Sequence, residues 1–157
     1  MENYNSSGRI GTLGFDAMSL SPALRYDETK DAIGGFEQLD GSRRTHKVAN
    51  QGLVAVVRTI KDKTKLPIGF NLIQHNPSQS GFNMIVNSYL EAAHAAGMLI
   101  VSITCDQERT QWAWLKSAGV SPNWPFIFHP CTSIPVYVIP DPPHLLKNAC
   151  NCLSATT

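Results

Sequence analysis

An α/β fold, a mixed β-sheet with flanking helices in one domain, is the class this sequence predicts, and three observations carry it. Residues 11 to 20 alternate with the period of a strand, residues 82 to 96 repeat with the period of a helix, and residues 136 to 139 form a β-rich run that halts at paired prolines. With 157 residues the chain is long enough for one domain with a sizeable core.

In the first strand Leu13 and Phe15 share one face while Thr12, Gly14, Asp16 and Met18 share the other, so Asp16 points away from the Phe15 side. A polar stretch containing Asp27, Glu28 and Asp31 separates a strand at 24–26 from one at 33–39. Gly34-Gly35 near the start of the second predicts a bulge or a close backbone approach. Residues 53 to 60 fit two templates: their β-branched content favours a strand, yet Ala49, Leu53, Val56, Val57 and Ile60 would also share one helical face. Pro67 opens a further short run through Ile73, and residues 76 to 81 form a loop that feeds a helix N-terminus.

The clearest helix follows, with Phe82, Ile85, Val86, Tyr89, Leu90, Ala93 and Ala96 on one face and Gly97 as its stop. Residues 99 to 104 then form a strand in which Ser102, Thr104 and, beyond it, Asp106 share a side. Strand, helix, strand is the βαβ arrangement, which lays its two strands parallel in one sheet. Residues 108 to 118 predict a second helix, anchored by Trp112 and Leu115 and ended by Gly119, and residues 121 to 125 are irregular. Val136, Tyr137, Val138 and Ile139 suit a buried strand. Pro142 and Pro143 cannot donate to a ladder, so the strand stops there before a short helix, leaving Asp141 at its end.

The formal charge of +1 makes no global electrostatic case for nucleic acid, so any DNA contact rests on local groups such as Arg43, Arg44 and Lys47, or Lys61, Lys63 and Lys65. Such runs also serve simply as solvated faces. The sequence shows no signal peptide, membrane span or repeat, and an intracellular protein without a membrane partner is expected. Cys105, Cys131, Cys150 and Cys152 fit reduced thiols better than a disulfide framework. Cys150-x-Cys152 with His144, or with His129 and Cys131, has the ligand types for zinc, but its spacing is tighter than the usual knuckle.

Seven segments in order, and an eighth that closes them, carry a resemblance to one family. Gly14-Phe15-Asp16-Ala17-Met18-Ser19-Leu20, Leu24-Arg25-Tyr26-Asp27 and Ile33-Gly34-Gly35-Phe36-Glu37 are similar to the family's opening F-D-E-M, L-x-Y-D and G-F-E-D elements. Residues 53 to 58, 66 to 70 and 97 to 106 follow, and Phe128-His129-Pro130 precedes the closing strand. That strand leads into Asp141-Pro142-Pro143-His144-Leu145-Leu146-Lys147-Asn148, which resembles the family's D-P-P-H-L-L-K-N, and the family resembled is that of the P-element-type transposases, whose catalytic domain is RNase H-like. The resemblance spans roughly Thr12 to Asn151. It favours a strand at 53–60 and implies three divisions: a poorly ordered N-terminus at 1–10, a partial RNase H-like domain at 11–151 and a tail at 152–157.

The resemblance further implies that Asp16 and Asp106 are the first two acids of a catalytic set holding Mg²⁺ or Mn²⁺. In that chemistry paired ions activate the nucleophile and stabilise the leaving oxygen, and Mg²⁺ keeps several waters, so a few acids on strand ends suffice. Asp141, His144, Lys147 and Asn148 are expected beside the site. The implied partners are transposon DNA and a second transposase chain, and the implied location is nuclear. Each residue also has an ordinary structural reading. Asp106 suits a helix N-cap, Asp141 a turn, His144 a hydrogen-bonding role, and Trp112 and Trp114 packing rather than base stacking. Asp16 has the weakest such reading, because a carboxylate in an apolar strand is costly unless exposed, paired or metal-bound.

The departures from the family pattern bear on activity. Ala17 stands where glutamate usually follows the first acid, Cys150 stands for an arginine, and Gln107 begins a loop unlike the family's G-A-S-x-N. In the family an insertion that binds a guanine nucleotide follows the segment matching residues 141 to 151, and a third acid, a glutamate, lies beyond it. A zinc-coordinating DNA-binding domain and a dimerising region precede the catalytic domain. None of these is within the 157 residues, so an incomplete or inactive catalytic module, its fold unfinished at the C-terminus, is expected. Leu145, Leu146 and Leu153 are then expected to be poorly covered. The alternative is a domesticated remnant that binds DNA or protein without chemistry. A nucleotide-binding site is not expected, since no G-x-x-x-x-G-K-[ST] loop occurs.

Overall fold

The alternation of residues 11 to 20 becomes β1 (Ile10–Ser19), in which Gly11, Leu13 and Phe15 are buried and everything from Asp16 onward is exposed. A computed structural model describes residues 9–39, 44–75, 77–106 and 109–154. The expectation for residues 1–10 therefore lies outside the described residues except at Arg9 and Ile10, and so do Arg43, Gln107 and the last residues of the expected tail. After β1 come β2 (Arg25–Asp27), β3 (Ala32–Gly34), β4 (Phe36–Gln38), β5 (Arg44–Val48), β6 (Gln51–Thr59) and β7 (Lys65–Ile73). Helix α1 (Gln79–Ala95), β8 (Leu99–Cys105), α2 (Arg109–Ser117), β9 (Phe126–Phe128), β10 (Pro135–Pro140) and α3 (Pro142–Ser154) complete the order.

Six strands form a mixed sheet in the order β7-β6-β1-β8-β10-β9. β6 runs antiparallel to both β1 and β7, β8 runs parallel to both β1 and β10, and β9 pairs antiparallel with β10. The β7-α1-β8 connection thus joins strands of like direction, as the βαβ pattern predicts, with β6 and β1 lying between them. Pairing on both sides resolves the ambiguity at 53–60. Leu53, Ala55 and Val57 alternate into the core, and the backbone groups a helix would have bonded internally are taken by β1 and β7. Pro67 sits in edge strand β7 beside a register irregularity, where a missing donor is tolerated.

Helix α1 is capped by Ser78, whose hydroxyl accepts from the Gly81 amide, and it ends at Gly97 with φ of 75°. Its predicted apolar face is the buried one, except that Ala96 at the C-cap is exposed. Leu13, Leu53, Ile85, Leu90, Ile100 and Ile103, each under 2% exposed, join α1 to one face of the sheet. Burying one such side chain contributes about 1.5–3 kcal/mol. The Tyr89 hydroxyl donates to Asn71 Oδ1 at 2.7 Å, and Asn71 Nδ2 donates to the carbonyls of Gln38 and Leu39. Gly69 leaves the space: a Cβ there would lie 2.8 Å from the Tyr89 ring.

Two expectations need correction. The single strand at 33–39 is two, β3 pairing with β2 and β4 with β5. Gly35 divides them, with φ of 101° and the Ala23 carbonyl only 2.0 Å from where a Cβ would stand, so the close approach expected there is real and breaks the strand. In α2 the anchors are Trp114 and Leu115, because the buried stripe starts at Gln111 and so puts Trp112 on the other side, 40% exposed. Trp114 packs against Phe82 with ring centroids 5.1 Å apart and donates its indole N–H to Asn83. Phe128 of the motif before the closing strand ends a short strand, β9. Its three residues are too few for a period, and pairing with β10 makes the strand.

Cys105 is buried and Cys131, Cys150 and Cys152 are exposed, each as a free thiol. Helix α3 buries none of its residues, and Leu145, Leu146 and Leu153 are 42, 68 and 75% exposed, as expected for poorly covered positions. In the turn after β9, His129 is 1% exposed and its Nδ1 accepts from the Cys131 amide. Burial, then the neighbouring His94, hold its imidazole below the usual value, with Glu91 pulling the other way.

Trp114→Ala is expected to cost about 3–5 kcal/mol in urea unfolding, whereas Trp112→Ala should stay within about 0.5 kcal/mol of the parent. A depressed His129 pKa means that, as pH falls through the ordinary histidine value of about 6.5, the unfolded chain takes up this proton before the folded one. Stability should therefore be full above that pH and decline below it, and thermal melts of His129→Asn should show a shallower decline.

Candidate active site at the ends of two parallel strands

β1 and β8 pair in parallel, and their register contains one shift. Gly11 faces Ile100, but Thr12 faces Ser102, so one residue of β8 is passed over before the pairing resumes as Leu13 with Ile103 and Gly14 with Thr104. The burial of β8 changes phase just past this point, with Ile100 and Ser102 buried before the change and Ile103 and Cys105 after it. Unshifted, the ladder would set Gly14 opposite Ile103 and carry Asp16 toward Cys105. Shifted, it carries Asp16 toward Asp106, two residues past the last pair on each strand. Gly14 and Asp16, like Thr104 and Asp106, lie on the face away from α1, on neighbouring strands about 4.8 Å apart.

The end of β10 completes the site. Pro140 pairs with Cys105, and the Asp141 amide donates to the Cys105 carbonyl at 3.0 Å. Proline at the first two positions of α3 sacrifices amides that a helix start leaves unbonded, so the segment turns at once into the helix. The Leu145 amide donates to the Asp141 carbonyl at 3.0 Å, and His144, on the first turn, reaches back so that its Nδ1 lies 2.6 Å from Asp141 Oδ2. Its Nε2 stands 3.6 Å from Asp106 Oδ2, within ion-pair range but too long for a hydrogen bond. With the proton on Nδ1 donated to Asp141, a neutral ring turns a lone pair toward Asp106; an imidazolium offers N–H groups to both carboxylates.

Asp16, Asp106, Asp141 and His144 line one cleft of about 300 Å³, floored by Gly14, Thr104 and Val56. The half-exposed Asp106 and His144 side chains keep it open to water. Lys147 and Asn148 lie one helical turn further along α3, exposed and outside the lining. The lysines at 61, 63 and 65 cluster around the β6–β7 turn, at the opposite end of β1 from Asp16, since Gly11 pairs with Thr59. Arg44 and Lys47 on β5 precede the start of β6, which faces the Asp16 end of β1. Thr104 and Gly14 join the site without a motif of their own, placed by the same strand alternation that orients the acids. The zinc grouping is not assembled: His129 is buried against His94 of α1, while His144, Cys150 and Cys152 ride on exposed α3.

Among the described residues no three His, Cys, Asp or Glu side chains converge closely enough to hold a metal ion. The donor chemistry nevertheless suits Mg²⁺ or Mn²⁺: hard carboxylate oxygens on two rigid strand ends, open to water that would fill the remaining positions.

A family profile described as "TNP-like, RNase H N-terminal domain" matches residues 1–119. The chain belongs to that family. The P element transposase of Drosophila, solved as a strand transfer complex, has the same fold, with a TM-score of 0.73 at 23% identity over 92% of this chain. The chain spans 29% of the length of that protein. A search of curated proteins returns no match. The P-element-type resemblance and the RNase H-like fold read from the sequence are both borne out. No helix among the described residues is long and apolar enough to cross a membrane.

The Asp141–His144 contact is expected to hold the first turn of α3 against the strand ends. Asp141→Ala and His144→Ala should each raise amide hydrogen exchange across α3, Asp141→Ala by about 0.5–2 kcal/mol of local opening energy, without loosening β1 or β8.

Proposed function

We infer that this chain serves metal-dependent DNA strand cleavage and transfer as part of the RNase H-like domain of a P-element-type transposase, acting in the nucleus. The observation that carries the reading is the placement of Asp16 and Asp106 on the same face at the ends of adjacent parallel strands. Bound between them, Mg²⁺ or Mn²⁺ would supply a Lewis acid for the scissile phosphate and lower the pKa of a water or 3′-hydroxyl nucleophile. Asp16 and Asp106 offer the oxygens that would hold the ion, at positions set by backbone pairing rather than by flexible loops. Asp141 orients His144, and His144 faces Asp106 with either a lone pair or a proton. In the family a third acid, a glutamate, joins this pair, so Asp16 and Asp106 would supply two of the three carboxylates, and a second transposase chain is the expected partner.

A second reading, a module that binds protein or DNA without chemistry, draws on α3, where Leu145, Leu146 and Leu153 all face solvent. Exposed apolar side chains gathered on one helix offer a surface for an interaction partner.

Mn²⁺ titration followed by electron paramagnetic resonance separates the two. On the first reading the parent binds Mn²⁺, Mg²⁺ competes, and Asp16→Asn or Asp106→Asn each weakens binding at least about tenfold. Equal Mn²⁺ binding by the parent and both variants would reject the retained metal centre and leave the non-catalytic module.

A further inference from the structure

Asp106 borders two spaces. Beyond the acid cleft it also lines a second cavity of about 420 Å³ between α2 and the end of β10. Trp112, Leu115, Val138 and Pro140 give this cavity apolar walls, while Lys116 and Asp106 bring charge to it. Cys105 adds none, since burial and then the adjacent Asp106 push its thiol up to about 11.

The second feature is the state of Trp112. Its neighbours Trp114 and Leu115 are buried in the core, yet Trp112 remains 40% exposed and forms part of the cavity wall. A large aromatic presented to a solvent-connected apolar space is a stacking surface, and stacking on a base is tolerant of sequence because every base has a π-face.

We propose that this cavity receives a nucleobase of the DNA strand whose phosphate lies at the Asp16–Asp106 cleft, stacked on Trp112 with Lys116 beside its backbone. The proposal rests on the DNA-processing reading above and adds to it a site for the base. Continuity selects the occupant: Asp106, at the end of β8, borders both spaces, so a strand held in the acid cleft passes over that strand end toward the apolar walls. Charge agrees with it, because Lys116 can neutralise a phosphate that an apolar peptide would not bring. A free phosphate would leave the indole and proline surfaces without a partner.

The test uses the whole 157-residue chain with Mg²⁺ and two fluorescent single-stranded oligonucleotides of equal length and charge, one with bases and one with tetrahydrofuran abasic residues throughout. Fluorescence anisotropy should show the base-bearing strand bound roughly tenfold more tightly. Trp112→Ala should abolish that preference, Trp112→Phe should keep most of it, and Asp16→Asn should weaken both strands alike. Circular dichroism melts check that the Trp112 variants fold. Equal affinity for the two strands, or a preference unchanged in Trp112→Ala, overturns the base pocket. If affinity still depends on Asp16 in those cases, the metal-centred reading survives alone; no binding of either strand rejects both. A rise in the parent's mass with concentration that Trp112→Ala removes would assign the cavity to a second copy of the chain and also overturn the proposal.

Discussion

The parallel pairing of β1 with β8, including its single shift in register, is the constraint on which the rest of this structure depends. A strand shows its side chains alternately to two faces, so one residue of slip exchanges a core face for a solvent face. In β8 the passed-over residue lets Ile100 serve the core before it and Ile103 and Cys105 after it. The same shift brings the Asp16 end of β1 level with the Asp106 end of β8. One local irregularity therefore serves both packing and the alignment of two acids.

Around that pair the fold is arranged asymmetrically. The α1 face of the sheet is closed by Leu13, Phe15, Ile85, Leu90 and Ile103, with Phe15 ringed by Phe82 and Tyr89 at centroid distances of 5.8 and 6.0 Å. The opposite face holds the acids and leaves Phe70, Tyr137 and Ile139 exposed. Closing one face rigidly is what allows the other to display carboxylates in water without desolvating them. It also explains why the site consists of strand ends: side chains there inherit their positions from backbone hydrogen bonds.

The end of β10 contributes differently. Its alignment relies on a short backbone bond from Asp141 to Cys105 and on the abrupt start of α3 at two prolines. His144 is brought back over the cleft because it occupies the first turn of that helix. The prolines that make this segment recognisable are thus the reason Asp141 and His144 meet, and Lys147 and Asn148, one turn on, fall outside the cleft. The apolar cavity beside Asp106 arises where α2 turns only one of its two candidate tryptophans inward.

Periodicity alone determined a good deal of this protein. The α1 face, the Leu13/Phe15 side of β1, the strand after Gly97 and the stop at Pro142 are short-range patterns in which each residue's choice is dictated by its neighbours in the chain. The direction of Asp16 away from the core was legible for the same reason. Tertiary structure decided what local pattern left balanced or silent: that residues 53 to 60 are a strand, because two partners bond its backbone; that Gly35 breaks a strand, because Ala23 lies against it; and that Trp114 rather than Trp112 is the anchor, because Phe82 meets it. It decided the site as well. Asp16 and Asp106 are ninety positions apart in the numbering, and no alternation within either strand specifies the register between them. That register is a property of two strands packing against one helix, which only the assembled sheet can express.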